Sequence, residues 1–307
     1  MAVPEGPAGE PDPGLFGPAS VTWQLHSDPV MWIAGVRALY LQALHPRAVR
    51  GVMQNSDFRT DAWGRLLRTA AFVGTVTYGA TSAAERAGAR VRGIHRRLRA
   101  VDPATGDSYR VDEPALLLWV HCAEIDSYLH VARRSGLTLS DAHADAYVRE
   151  QRTAARLVGL DPDAVPGDTA ALAAYFERVA PELAATPDSA DVDAFLHRPP
   201  VGPFLVPARN LLWSRIAGLA YGTLPKAAHR LYGRPAPPAP VVDRRLRATA
   251  NILRAVPDGV RWRLPPQNIL RAMERLGPAS RPSPSKLARA AAILDESGDK
   301  ATGNGYG

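Results

Sequence analysis

An all-α fold is what this 307-residue sequence predicts. Three observations carry that expectation. Apolar residues recur at helical spacing through most segments between Ser20 and Leu276. No alternating β-branched stretch exceeds about five residues, so no sheet is expected. Helix start and stop signals, such as Asp28-Pro29, Glu113-Pro114 and Gly136, punctuate the chain. One helical domain of roughly ten helices is expected over residues 19–278, between a disordered leader (1–18) and a flexible tail (279–307).

The elements follow in order. Residues 1–18 are rich in Pro, Gly and acidic side chains, the composition of a disordered segment. Ser20-Val-Thr-Trp23 caps a short segment. Asp28-Pro29 opens Pro29–Leu44 with a cap and a first-position proline. That helix (PVMWIAGVRALYLQAL) is apolar on nearly every side except at Arg37 and Gln42, so it is buried. Pro46 separates it from Arg47–Met53, and Asn55-Ser56-Asp57 is a turn. Two helices, Asp61–Gly79 and Ser82–Ala100, come next. Asp102–Asp112 is a polar loop with room for a short hairpin. Ala115–Ser135 is capped by Gly136, and the amphipathic Ser140–Leu157 ends at Gly159. Asp168–Ala184 starts on Asp168, and Asp188–Arg198 stops at Pro199-Pro200. Val206–Leu219 and Leu224–Tyr232 precede a polyproline-like connector, Arg234–Val241. Asp243–Ala255 and Gln267–Leu276 are the last full helices, with Lys286–Leu294 a marginal one. The connector lies too near the C-terminus to divide two domains.

Composition narrows the functional classes. Apolar residues make up 46% and charged residues 22%, enough for a sizeable core in a globular protein. Cys122 is the single cysteine, so no internal disulfide forms. It reads as a buried, inert thiol rather than a haem thiolate, because no Gly-rich loop flanks it. The first residues lack the basic start and apolar core of a secretory signal. No run of about 18 uncharged apolar residues exists to span a bilayer, and a cytoplasmic protein is expected. The net charge is +7, with arginine ahead of lysine. These arginines are scattered without an aromatic-laced patch, so nucleic acid is not the expected partner. GxGxxG, P-loop, HExxH and GxSxG patterns are absent, as is any fixed-period repeat.

The most informative stretch is Arg59 to Arg99. Arg65 and Thr69 are four residues apart and share a helix face, which Phe72, Val73 and Val76 continue as an apolar stripe. In the next helix His95 has Val91, Ile94 and Leu98 beside it, Arg92 three residues before and Arg99 four after. An imidazole on an apolar face, ringed by guanidinium groups, suits a haem: imidazole for iron, apolar side chains for the macrocycle, arginines for the propionates. The same pattern suits a plain core histidine, which is commoner. Arg92, Arg96, Arg97 and Arg99 cannot all face one pocket, because consecutive helical positions diverge by about 100°. His121 is the rival ligand. It sits in an apolar run with Trp119 and Cys122, and its alternative is a buried histidine bonded to Glu124 or Asp126. His45 reads as a helix-end residue bonding carbonyls. His26, His130, His143, His197 and His229 lie on polar or terminal stretches and are expected at the surface.

Five stretches taken together resemble the MpaB / rubber-oxygenase catalytic-domain family, which includes the latex-clearing proteins. They are RALYLQALHPRAVRGV (Arg37–Val52), SDFRTDAWGRLLRTAAFV (Ser56–Val73), ARVRGIHRRLRA (Ala89–Ala100), LLLWVHCAEIDSYL (Leu116–Leu129) and LPKAAHRLYG (Leu224–Gly233). The resemblance implies a globin-like helical fold holding haem b. In the latex-clearing branch the iron ligand is the histidine of an R-x-x-H-x-x-x-R setting, matched by Arg92, His95 and Arg99. The branch's distal R-x-x-K-T is matched by Arg65, Arg68 and Thr69, with arginine where the branch has lysine. A guanidinium stays protonated and is a poor iron ligand, so a lysine-capped resting state is not expected. The catalytic glutamate of the rubber-cleaving enzymes has no counterpart here, so rubber cleavage itself is not carried over. On this resemblance His95 is the metal ligand, and His95, Arg68, Arg92 and Arg99 contact the cofactor; His121, read from its own apolar setting, is counted with them as the rival. Arg65 and Thr69 act as hydrogen-bond donors toward dioxygen.

The leading reading is therefore a haem b-dependent oxygenase or peroxidase-like oxidoreductase, taking a small apolar or isoprenoid-like substrate with dioxygen or peroxide. A non-catalytic haem carrier or gas sensor shares the fold and ligand. A cofactor-free basic helical module is the third reading. Peripheral membrane contact through Val201–Leu219, which carries Trp213 and two arginines, stands against its being an ordinary core helix.

Overall fold

The computed structural model describes residues 11–56, 61–102, 104–201, 204, 206–263, 267–283 and 285–287. Helices dominate them. Val21–His26 (α1) is capped by Ser20, whose hydroxyl accepts from the Trp23 amide. Met31–Gln42 (α2) starts two residues later than its Pro29 signal, with the Asp28 carboxylate accepting from the Val30 amide. Pro46–Asn55 (α3) is capped by the His45 ring, which accepts from the Ala48 amide at 3.4 Å. His45 thus serves a helix N-terminus, not the carbonyls it was expected to bond. Ala62–Tyr78 (α4) is capped by Asp61, and Thr81–His95 (α5) follows after Gly79-Ala80.

Helix α5 ends five residues before the Ala100 boundary its composition predicts. The chain then forms a two-stranded antiparallel ribbon, Arg99–Val101 (β1) with Ser108–Arg110 (β2), pairing Ala100 with Tyr109. The expected absence of sheet is corrected by this one hairpin, which falls at the loop read as able to hold one. The reason is tertiary. Ala100 and Tyr109 are buried, and the Tyr109 hydroxyl donates to the Arg47 carbonyl of α3 at 2.6 Å.

Pro114–Arg134 (α6) and Asp141–Val158 (α7) are the two longest helices, the second ending on Gly159 at φ +100°. Thr169–Val179 (α8) gives way to a 3-10 turn at Pro181, shortening the expected Asp168–Ala184. Pro187–His197 (α9) follows. The expected Val206–Leu219 helix is split into Val206–Ala208 (α10), a π-helical turn Arg209–Trp213, and Ser214–Gly222 (α11). Lys226–Tyr232 (α12), Ala239–Ala255 (α13), Asp258–Arg261 (α14) and Asn268–Leu276 (α15) complete the order. Helix α13 absorbs the end of the proline-rich connector, since Pro240 sits in its first turn, where no N–H is needed.

Two groups of helices pack together. Helix α2 lies at the centre of one, against α6, α11 and α9, with α3 beside α9. Its buried Arg37 donates to Asp126 at 2.7 Å, to Ser127 at 2.8 Å and to the Thr223 carbonyl at 3.2 Å, tying α2 to α6 and the end of α11. The second group is α1, α4, α5, α7 and α15, joined to the first where α6 meets α7.

Of the expected leader, residues 1–10 lie outside the described residues and 11–18 are packed. Leu15 and Phe16 rest against Val76, Ala84 and Leu157. Asp12 accepts from the Thr81 amide at 2.7 Å and hydroxyl at 2.8 Å. Of the expected tail, Pro278–Ser280 forms a 3-10 turn and Leu287 is buried. Most of the marginal helix at Lys286–Leu294 lies outside the described residues, as does Arg59.

Candidate functional site

The short Gly79-Ala80 link makes α4 and α5 packed neighbours. Arg65 lies 14 residues before Gly79 and His95 lies 16 after it. At about 1.5 Å per residue, antiparallel packing brings the two to the same level, far from the link. Their electrostatics agree. His95 is held below its ordinary pKa first by burial, with Asp112 pulling it up and the Arg65 cation pushing it down. Its Nδ1 is buried and has no hydrogen-bond partner. His95 is therefore a neutral imidazole at pH 7 with a ring nitrogen uncommitted to the protein.

Arg65 is half-buried, and its guanidinium donates to the Ser56 hydroxyl at the end of α3. Burial and the Arg68 charge lower its pKa from far above neutrality, and it stays a cation. The other expected residues stand differently. Thr69 is exposed, and its hydroxyl donates to the Arg65 carbonyl at 3.1 Å, the back-bond of a solvent-facing helical threonine. Arg68 is exposed and paired with Asp61 at 2.9 Å. Arg92 donates to the Leu157 carbonyl at 2.6 Å, where a cation suits the last turn of α7. Arg99 is on β1, exposed, and donates to the Arg96 and Leu98 carbonyls. The helical turn that was to align Arg99 with His95 does not exist, because α5 has already ended. The structure thus brings Arg65 and His95 together and leaves Arg68, Thr69, Arg92 and Arg99 committed elsewhere.

His121 lies midway along α6. Its Nε2 is buried without a partner, and the ring bonds the Gln151 backbone of α7. Burial pushes its pKa down to about 4. Neither carboxylate offered as its partner takes that part: Asp126 pairs with Arg37, and Glu124 bonds Tyr128 four residues on. Cys122 beside it is a buried thiol pushed up to about 12, hence protonated and inert.

A polar interior lies past His121 that the sequence reading did not collect. His121, Glu124 and Tyr128 fall at i, i+3 and i+7 on α6. Burial raises Glu124 to about 7. His26, at the end of α1, has its Nδ1 2.9 Å from the Thr77 hydroxyl of α4 and its Nε2 3.0 Å from the Tyr147 hydroxyl of α7. Its ring meets Tyr128 edge-on at 5.1 Å. Burial pushes His26 down to about 3. His143 is also buried, with Nε2 2.7 Å from the Leu287 carbonyl. The expected surface placement of His26 and His143 is thereby corrected: Thr77, Tyr147 and the Leu287 carbonyl, which their rings meet, lie 51 to 144 residues away in sequence. The signal that could have been read is the i, i+3, i+7 polar stripe inside the apolar α6.

The arrangement offers neutral, buried imidazole nitrogens and a fixed cation. Among the described residues no group of three or more His, Cys, Asp or Glu side chains could hold a metal ion between them. A haem iron brings four nitrogen donors of its own and needs one protein nitrogen, which His95 or His121 can supply. The residues present fit that group.

Comparison with known proteins gives one family. The family described as ER-bound oxygenase mpaB/B'/Rubber oxygenase, catalytic domain, matches residues 23–255. Comparison with curated proteins and with solved structures gave no match. The matched span runs from α1 to the last residue of α13 and holds Arg65, His95 and His121. It covers well over half of the sequence, and the chain belongs to the family of the mpaB and rubber-oxygenase catalytic domains.

Proposed function

We propose that this oxygenase-family protein is a haem b-dependent oxidoreductase acting on a small apolar or isoprenoid-like molecule. The observation that carries the reading is the neutral His95 ring, its buried Nδ1 unpartnered, set beside the Arg65 cation. A metal ligand must be a neutral imidazole, and burial together with Arg65 keeps His95 in that state. His95 is the residue that would hold the iron, and His121 is the second, on the same chemical ground. When bound, haem would supply activation of dioxygen or peroxide.

The chain's own residues do the rest. Arg65 has five N–H donors, and its Ser56 contact leaves others for an oxygen acceptor. A half-buried guanidinium there stabilises negative charge developing on oxygen more strongly than a solvated one. Thr69 donates to its own helix, so the donor role rests on Arg65 alone.

The test is an absorption spectrum of the purified protein after haem is supplied, with His95→Ala and His121→Ala alongside. The wild type should show a Soret band that His95→Ala loses and His121→Ala keeps. The reverse loss moves the ligand to α6. A wild type without the band sinks the reading.

A further inference from the structure

The segment around the π-helical turn leaves large apolar side chains in water. Phe204 is 97% exposed, Leu211 61% and Leu212 62%. They are connected to α4. Trp213, the residue after Leu212, turns inward: its Nε1 donates to the Leu196 carbonyl at 2.8 Å and its ring meets Trp63 edge-on at 4.7 Å. Leu67, 53% exposed, lies one turn along α4 from Trp63. The Trp63–Trp213 pair therefore joins two exposed apolar segments beside the turn of α4 that carries Arg65.

The same stretch of chain is basic. From 194 to 242 the chain has no Asp or Glu, yet it carries Arg198, Arg209, Arg215, Lys226, Arg230 and Arg234. Arg198, Arg215, Lys226 and Arg230 are exposed. Arg209 donates to the Asn210 side chain and the Pro199 carbonyl, not to a carboxylate. Arg234 is the exception, paired with Asp193. Protruding apolar side chains amid positive charge match the layered chemistry of an anionic bilayer, with phosphates outside and acyl chains beneath. A second copy of the chain would set like charges against each other. A side chain as exposed as Phe204 also needs no shaped pocket when its partner is a fluid acyl phase.

We infer that this face docks the protein on anionic lipid bilayers. Phe204, Leu211 and Leu212 enter the acyl boundary, and Arg198, Arg209 and Arg215 meet lipid phosphates. Among the described residues no helix is long and apolar enough to cross a membrane. An apolar substrate dissolved in that bilayer would meet α4 near Arg65 without crossing water. That route rests on the function proposed above; the docking does not.

The experiment is co-sedimentation of the full chain with vesicles of phosphatidylcholine alone and of phosphatidylcholine mixed with phosphatidylserine. Phosphatidylserine vesicles should bind at least about tenfold more tightly, and added salt should weaken the binding. Leu211→Asp with Leu212→Asp should weaken it about tenfold or more, since both charges enter an apolar layer. Arg215→Glu, which leaves the apolar rim intact, should remove most of the preference for phosphatidylserine. Both variants change exposed side chains, so helical circular dichroism and the haem spectrum should match the wild type; a missing Soret band would fault the site reading and leave the docking standing. Equal binding to both vesicles, binding untouched by either variant, or self-association that the leucine changes abolish would overturn the inference.

Discussion

Glu124 has a chemistry that its place in the α6 sequence does not announce. A carboxyl in the interior of α6 is held neutral by burial, its pKa raised to about 7 from 4.5, against a smaller opposing pull from the Tyr128 hydrogen bond. In the unfolded chain it ionises first. Its favourable contribution to folding is complete below the unfolded value and is lost as pH rises through about 7. Glu124→Gln keeps the neutral form at every pH. Between about pH 5 and pH 8 the variant should gain on the wild type by on the order of 2 kcal/mol, read as a shift of urea midpoints. Parallel profiles for the two proteins would refute the buried neutral carboxyl. His26 has the opposite sign. Depressed to about 3, its contribution is present above 6.5 and is lost as pH falls through the folded value. Acid should therefore weaken the wild type even where Glu124 is most favourable.

Helix α5 carries His95, and its seating on α7 decides where that ring points. Gly88 is the point of closest approach: a Cβ there would stand 2.8 Å from the Leu157 carbonyl oxygen and 2.9 Å from Leu157 Cβ. Backbone cannot yield as a flexible side chain can. Gly88→Ala should cost about 1–3 kcal/mol and disturb the Arg92–Leu157 bond one turn away. Gly93, five residues on, has nothing within 4 Å of such a Cβ. Gly93→Ala should stabilise by up to about 1 kcal/mol through helix propensity alone. Thermal midpoints moving in opposite directions confirm this seating; two shifts of the same sign reject it.

Across the whole molecule, the two ends of the described chain close on the same helices. Trp23 of α1 donates to the Ser280 carbonyl at 3.1 Å, and His143 of α7 contacts the Leu287 carbonyl. Arg275 donates to the Asp12 carbonyl at 3.0 Å and the Tyr78 carbonyl at 2.8 Å. These bonds hold the α1, α4 and α7 group from outside. Ending the chain after Gly277 strands the buried indole N–H of Trp23 and uncovers the seat of Leu287. The loss should be at least about 2 kcal/mol in urea unfolding. An unchanged midpoint would mean the C-terminal segment rests on the fold without supporting it.

Much of this protein was fixed by local chemistry. The all-α class, the caps at Ser20 and Asp168, and the burial of α2 follow from spacing and cap residues within a few positions. So does the grouping of Arg65 with His95, which lie about equally far on either side of a short link between packed helices. What the sequence could not settle is whatever depends on partners far along the chain. Helix α5 ends short of the β1–β2 hairpin, whose Tyr109 hydroxyl is held on the distant Arg47 carbonyl of α3. The burial of His26 and His143, the Arg37–Asp126 pair and the diversion of Arg92 to Leu157 each join residues 51 to 144 positions apart. Periodicity reports which face of a helix is apolar. Only tertiary packing decides which other helix meets that face, and therefore which nitrogen is left without a partner.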